Sequence, residues 1–328
     1  MVTKIGQQIE MEIRDQKQVI AEALQLCVPH LQTLKSAGWE FTLVNGKPFH
    51  VLARIEDGWL IFETTDTEPD ANPWALLQMN RKLGVGTKFV MRPFTKQVRL
   101  RSEVLLCDHV DLSSRLSDLK AELTTAMGLV HQLVTGAARD RSTRVHSDAK
   151  QQKSRSGPDE FEGNEAGPSL KERCDLSGWP SVERSNGEVT VELEVPDAFH
   201  QATISRKPSG DLHLSCALPP DLKANGTTST AGAQLLLQVS SLLRLVRAEI
   251  VEIETKGDGG ELVEDSALLQ RFSLTVSLPS DACANEFNEA LTGLSVACDL
   301  TARETEALCD TRVADRYLQM MNGANAAT

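Results

Sequence analysis

Residues Pro73 to Leu106 read PWALLQMNRKLGVGTKFVMRPFTKQVRLRSEVLL, and their reading decides the fold. Asn72 is placed to cap a short helix, Pro73 suits its first position, and Gly84 stands just past its end. Two strands follow, about Thr87 to Arg92 and Gln97 to Leu106, turning at Pro93 to Lys96. The pattern occurs again from about Ala231 to Pro279, where LLQVSSLL over Leu236 to Leu243 stands for LLQMNRKL over Leu76 to Leu83. A helix feeding a two-stranded hairpin, present twice, predicts two copies of one unit.

Toward the N-terminus, apolar residues from Thr3 to Lys35 recur as the stripe of an amphipathic helix: Ile5, Ile9 and Ile13, then Ile20, Leu24, Cys27, Val28, Leu31 and Leu34. Pro29 kinks or divides it. After Gly38 come three strands, about Glu40 to Val44, Phe49 to Glu56 and Trp59 to Thr64, joined at Asn45-Gly46 and Asp57-Gly58, pairs that tolerate the positive φ of tight hairpin turns. Beyond Leu106, Asp111 opens a helix with Leu112, Leu116, Leu119, Leu123, Met127, Val130 and Val134 on one face. The first unit is therefore α-β-β-β-α-β-β-α.

The second half repeats the order, with strands at Gly187 to Val195, Phe199 to Arg206 and Asp211 to Leu218. A helix from near Thr230 follows, then strands at about Ala248 to Thr255 and Arg271 to Leu278, and a helix carrying Phe287, Leu291 and Leu294. Thr301 and Glu304 have capping-box spacing for one further helix. Phe49-His50 matches Phe199-His200, Leu76 matches Leu236 and Val98 matches Phe272, with offsets that grow across expected turns. Between the halves, Ser, Gly and charge replace apolar residues, which makes 136–168 a solvated tether. The expected organisation is α+β: unit 1 over 1–135, the linker, and unit 2 over 169–328, each an antiparallel sheet packed on helices.

The formal net charge of −12 argues against a nucleic-acid binder. Seven cysteines without a CxxC pair read as buried free thiols in a reducing compartment, in preference to a disulfide framework or a zinc site. The N-terminus has no apolar run suited to a signal peptide or membrane span, so a cytoplasmic protein is expected.

No motif points to catalysis, and no cofactor or metal is expected. Gly84-Val85-Gly86 and Gly257-Asp258-Gly259-Gly260 lack the strand-to-helix setting of a phosphate loop and read as turns. Cys107, Asp108, His109 and Asp111 cluster in sequence, but neighbours on a strand point to opposite faces, and Asp111 as a helix cap is the plainer account. His50 and His200 suit half-buried strand positions of a repeat, with a proton switch as the sharper alternative. Trp59 and Trp74 are expected to seal the first sheet.

The element order, with LLQMNRKL before a hairpin ending in VRLRSEVLL, resembles the bacterial type III secretion chaperone-like superfamily, which includes YbjN-like domains. The resemblance covers about Lys4 to Val134 and Glu188 to Thr301, with Leu170 to Asp175 the only segment able to supply the second unit's first helix. It implies a small αβ sandwich whose members commonly form homodimers, the short middle helix contributing to the interface in several, and chaperones that hold a client protein's segment extended along apolar grooves. Carried onto this chain, it implies an internal pseudo-dimer with Leu76, Met79 and Leu83 facing Leu236, Val239 and Leu243. Alternatively, each trio belongs to its own unit's core. Ile5, Ile9 and Ile13 would offer apolar surface to the client. The expectation is a non-catalytic protein-binding chain. A YbjN-like regulatory module without a client, and a small-molecule enzyme sited between the units, are the alternatives.

Overall fold

The computed structural model describes residues 16–28, 30–34, 38–45, 47–65, 72–93, 97–106, 111–139, 168–195, 198–223, 226–253 and 269–325. Ile5, Ile9, Ile13, Pro29, Cys107, His109 and residues 140–167 of the expected linker lie outside them.

The first half runs α1 (16–27), β1 (Gln32–Leu34), β2 (Gly38–Asn45), β3 (Lys47–Glu56), β4 (Trp59–Thr64), α2 (Pro73–Asn80), β5 (Thr87–Met91), β6 (Val98–Leu105) and α3 (Leu112–Arg139). The second runs α4 (Leu170–Leu176), β7 (Ser181–Glu183), β8 (Val189–Val195), β9 (Ala198–Arg206), β10 (Leu212–Lys223), α5 (Thr227–Leu242), β11 (Arg247–Ile253), β12 (Leu269–Leu278), α6 (Ala284–Ala307) and α7 (Thr311–Asn325). Each half forms one antiparallel six-stranded sheet, in the orders β1-β2-β3-β4-β6-β5 and β7-β8-β9-β10-β12-β11. By rank in the chain these orders are the same. No helix among the described residues is long and apolar enough to cross a membrane.

Local chemistry accounts for many of the boundaries. Asn72 Oδ1 accepts from the Trp74 amide at 3.0 Å, with Pro73 opening α2. Asp57 and Gly58 take φ of 51° and 79°, the turn that closes β3 onto β4 in two residues. In β2, buried Trp39, Phe41 and Leu43 alternate with the less buried Glu40 and Thr42. The apolar face so formed is covered by α3 through Leu116, Leu119 and Leu123; the equivalent face of the second sheet is covered by α6 through Phe287, Leu291 and Leu294. One continuous apolar core includes residues of both sheets.

Several expectations need correction. The first helix ends at residue 27: His30 adopts φ 59°, which a right-handed helix excludes, and Gln32–Leu34 pairs with Gly38–Glu40 as a strand. A matching three-residue strand, β7, opens the second sheet, so each half carries four strands before its middle helix instead of three. β10 continues to Lys223 through a bulge where a turn was expected. α3 continues to Arg139, past the expected boundary at 135. Thr301 does not start a helix: it lies inside α6 with its hydroxyl donating back to Ala297 O, and α7 begins after Asp310, which accepts from the Arg312 amide at 2.8 Å. Nor are His50 and His200 equivalent. His50 bonds Thr42 on the polar side of its sheet, whereas His200 shares the apolar side with Ala202 and Ile204, so the matching letters are one residue out of register.

Candidate functional site

α2 packs on α5 and on β11, and α5 packs on β5, so the two middle helices and the two edge strands β5 and β11 make the seam between the halves. On α2, α5 and the residues just past them, Leu76, Met79, Leu83, Leu236 and Val239 are buried and Leu243 is half-buried. Trp74 does more than seal its own sheet: its ring meets Phe272 of the other half edge-on, with centroids 5.6 Å apart.

The seam also carries buried ions. From β5, the buried Lys88 ammonium donates to Leu243 O at 2.7 Å and Val246 O at 3.1 Å, just beyond the end of α5. From β11, the buried Arg247 guanidinium donates to Leu83 O at 3.1 Å and Gly84 O at 2.8 Å, just beyond the end of α2. Each cation has a buried carboxylate: Glu103 stands 3.1 Å from Lys88, and Glu249 stands 2.6 Å from Arg247. Burial pushes Lys88 down to about 8, with Glu103 pulling the other way. Glu103 also accepts from the Leu245 amide at 2.5 Å, which holds Leu245 at φ 58°, a conformation costly for leucine. Arg101 donates to Ser241 O at 2.7 Å, and the Asn80 amide group donates to Ala248 O at 2.9 Å.

Beside the seam lies a cleft of about 710 Å³. Asp111 just before α3 and Asp118 and Glu122 within it line the cleft, with Asp211, Asp281 and Glu286 from the second half. Arg115 spans it, 3.0 Å from Asp281 and 3.7 Å from Glu286. Burial pushes the Glu122 carboxyl up to about 7, against a 2.8 Å hydrogen bond from Thr87 Oγ1, and burial raises Glu286 as well. Asp111 caps α3, accepting from Ser113 and Ser114 amides at 3.1 and 3.3 Å.

A third constellation lies in the core of the second half. His200 on β9, Cys216 on β10 and Cys298 on α6 bring their donor atoms within 4.8 Å of one another. It is the arrangement among the described residues with metal-ligand spacing.

Sequence reasoning marked Leu76, Met79, Leu83, Leu236 and Val239 as apolar positions, which are buried, and missed the ions of the seam. The signal was there: KFVM, RLRSEVL and RAEIVEI put charge inside strands otherwise made of buried residues. The chain matches no protein-family model and no curated protein.

Proposed function

We propose that this chain is a non-catalytic protein-binding protein, two secretion-chaperone-like units joined as an internal pseudo-dimer that holds an extended client segment in the cytoplasm. The reading is supported by where sheet edges are left open. β5 and β11 are turned into the seam, whereas β1 pairs with Gly38, Trp39 and Glu40 alone and β7 with Val189, Thr190 and Val191 alone. Among the described residues no strand covers the outer edge over Phe41–Asn45 or Glu192–Val195. Over these stretches every second residue turns its main-chain donor and acceptor toward the open edge, where an added strand would gain affinity from the ladder and selectivity from alternate side chains.

The test is affinity capture of the tagged chain followed by hydrogen exchange on the purified complex. A stoichiometric partner that slows exchange at 41–45 or 192–195 supports the reading. A partner that protects only other segments, or none at all, sinks it.

A second reading, a small-molecule enzyme in the cleft, is favoured by Glu122, since a carboxyl held near pH 7 has the acidity of a general acid–base group. A cationic compound that stabilises the wild type and not Glu122→Gln would move the assignment there.

A further inference from the structure

The geometry points to a zinc site formed by His200, Cys216 and Cys298, which fastens α6 to the second sheet.

Three rigid elements deliver the donors. Cys216 pairs with Ala202 across β9 and β10, and His200, two residues before Ala202, shares its face. α6 packs on β10 and sets Cys298, fully buried, with its Sγ 3.3 Å from that of Cys216. Elements of regular structure hold ligands more precisely than loops do.

The imidazole decides between the meanings of this cluster. His200 Nε2 is buried and has no hydrogen-bond partner, in a molecule whose other buried polar groups are mostly satisfied. A Cys216–Cys298 disulfide would leave that nitrogen orphaned. A cation between the three groups gives it a partner and uses both sulfurs. Charge then selects the ion: two thiolates, one neutral imidazole and a divalent cation sum to zero, which a buried site tolerates, whereas a monovalent soft ion leaves a net negative charge. Sulfur and nitrogen donors suit zinc and disfavour magnesium or calcium. Tetrahedral bonds of about 2.3 Å from zinc to sulfur set the sulfurs about 3.8 Å apart, a small relaxation from the spacing present. Three protein donors leave the fourth position to water. Binding replaces the two thiol protons, which go to solvent, so no oxidant or reductant takes part.

Sequence spacing hides the site, because its residues stand 16 and 82 positions apart.

The test uses the full chain, reduced and freed of metal, titrated with cobalt(II) as a spectroscopic stand-in and then with zinc(II). One equivalent of cobalt is expected to give the sulfur-to-metal charge-transfer and tetrahedral ligand-field bands, lost on adding one equivalent of zinc. Cys298→Ser and Cys216→Ala should abolish the charge-transfer band, and His200→Asn should weaken zinc binding about tenfold or more. Cys27→Ser/Cys283→Ser/Cys309→Ser should leave it intact. Circular dichroism checks that each variant is folded, and for one that is not, native mass spectrometry of the wild type reads one zinc per chain directly. Absence of the band and of bound zinc in the wild type overturns the site. So does a band that survives in folded Cys298→Ser, or a mass two protons light from a Cys216–Cys298 disulfide after purification with zinc.

Discussion

Lys88 and Arg247 occupy corresponding positions on the two edge strands of the seam and perform the same task in opposite directions. Lys88 pairs in register with Arg101, and Arg247 with Thr275; the offset of 174 that relates Val98 to Phe272 also relates Arg101 to Thr275. Each cation reaches across to carbonyls just past the other half's middle helix, Leu243 O for Lys88 and Leu83 O for Arg247. The C-terminal end of a helix carries partial negative charge that favours a cation nearby, and the buried carbonyls just past it gain a charge-assisted donor. Here each half places a cation beside the end of the other half's middle helix.

Arg247→Met should therefore cost about 3–5 kcal/mol, because it strands the buried Glu249 carboxylate together with Leu83 O and Gly84 O. Adding Glu249→Met should recover a large part of the loss, since removing both partners of a buried pair spares the orphaned charge. Urea denaturation of the two variants reads this; a single variant within about 1 kcal/mol of wild type would show the seam bond to be idle.

Gly232 in α5 yields a prediction whose sign is contested by two effects. Alanine is favoured over glycine inside a helix by about 1 kcal/mol. A Cβ at Gly232 would lie 2.6 Å from Phe272 Cε2, and that ring is buried and held against Trp74. The ring has no free direction, so overpacking wins and Gly232→Ala should destabilise by about 1–3 kcal/mol. The double variant Gly232→Ala/Phe272→Leu should lose less than the two single costs summed. Additive costs would mean that the methyl is accommodated elsewhere.

What could be read from the sequence was what neighbouring residues decide among themselves. Asn72 with Pro73, and Asp57 with Gly58, fix a helix start and a hairpin within a few residues, and both stand where their chemistry requires. The stripe of Leu76, Met79 and Leu83 announced burial, but periodicity cannot say which surface does the burying. β1 and β7 escaped because three residues hold too little alternation to register. The Phe-His coincidence misled because identity of letters ignores the two-residue period that assigns faces. Nothing local joins His200 to Cys298, or Lys88 to Leu243; such contacts exist only once the sheets and helices have been assembled.

The cleft should make stability depend on pH through Glu122. Burial raises its folded pKa from the ordinary 4.5 to about 7, so the native state holds a proton that the unfolded chain releases between those values. The stabilising contribution of the protonated carboxyl is complete below about pH 4.5, falls as pH rises toward 7, and is gone above it. Glu122→Gln keeps the shape and an acceptor for Thr87 Oγ1 but cannot ionise. Glu286, also raised by burial, titrates in both proteins, so the difference between them isolates Glu122. From pH 5 to pH 8 the wild type should lose about 2–3 kcal/mol relative to the variant, with the change centred below neutrality. Urea denaturation of both proteins at half-unit pH steps measures the gap. A gap that stays constant across that range would mean that the carboxylate is solvated in the cleft after all.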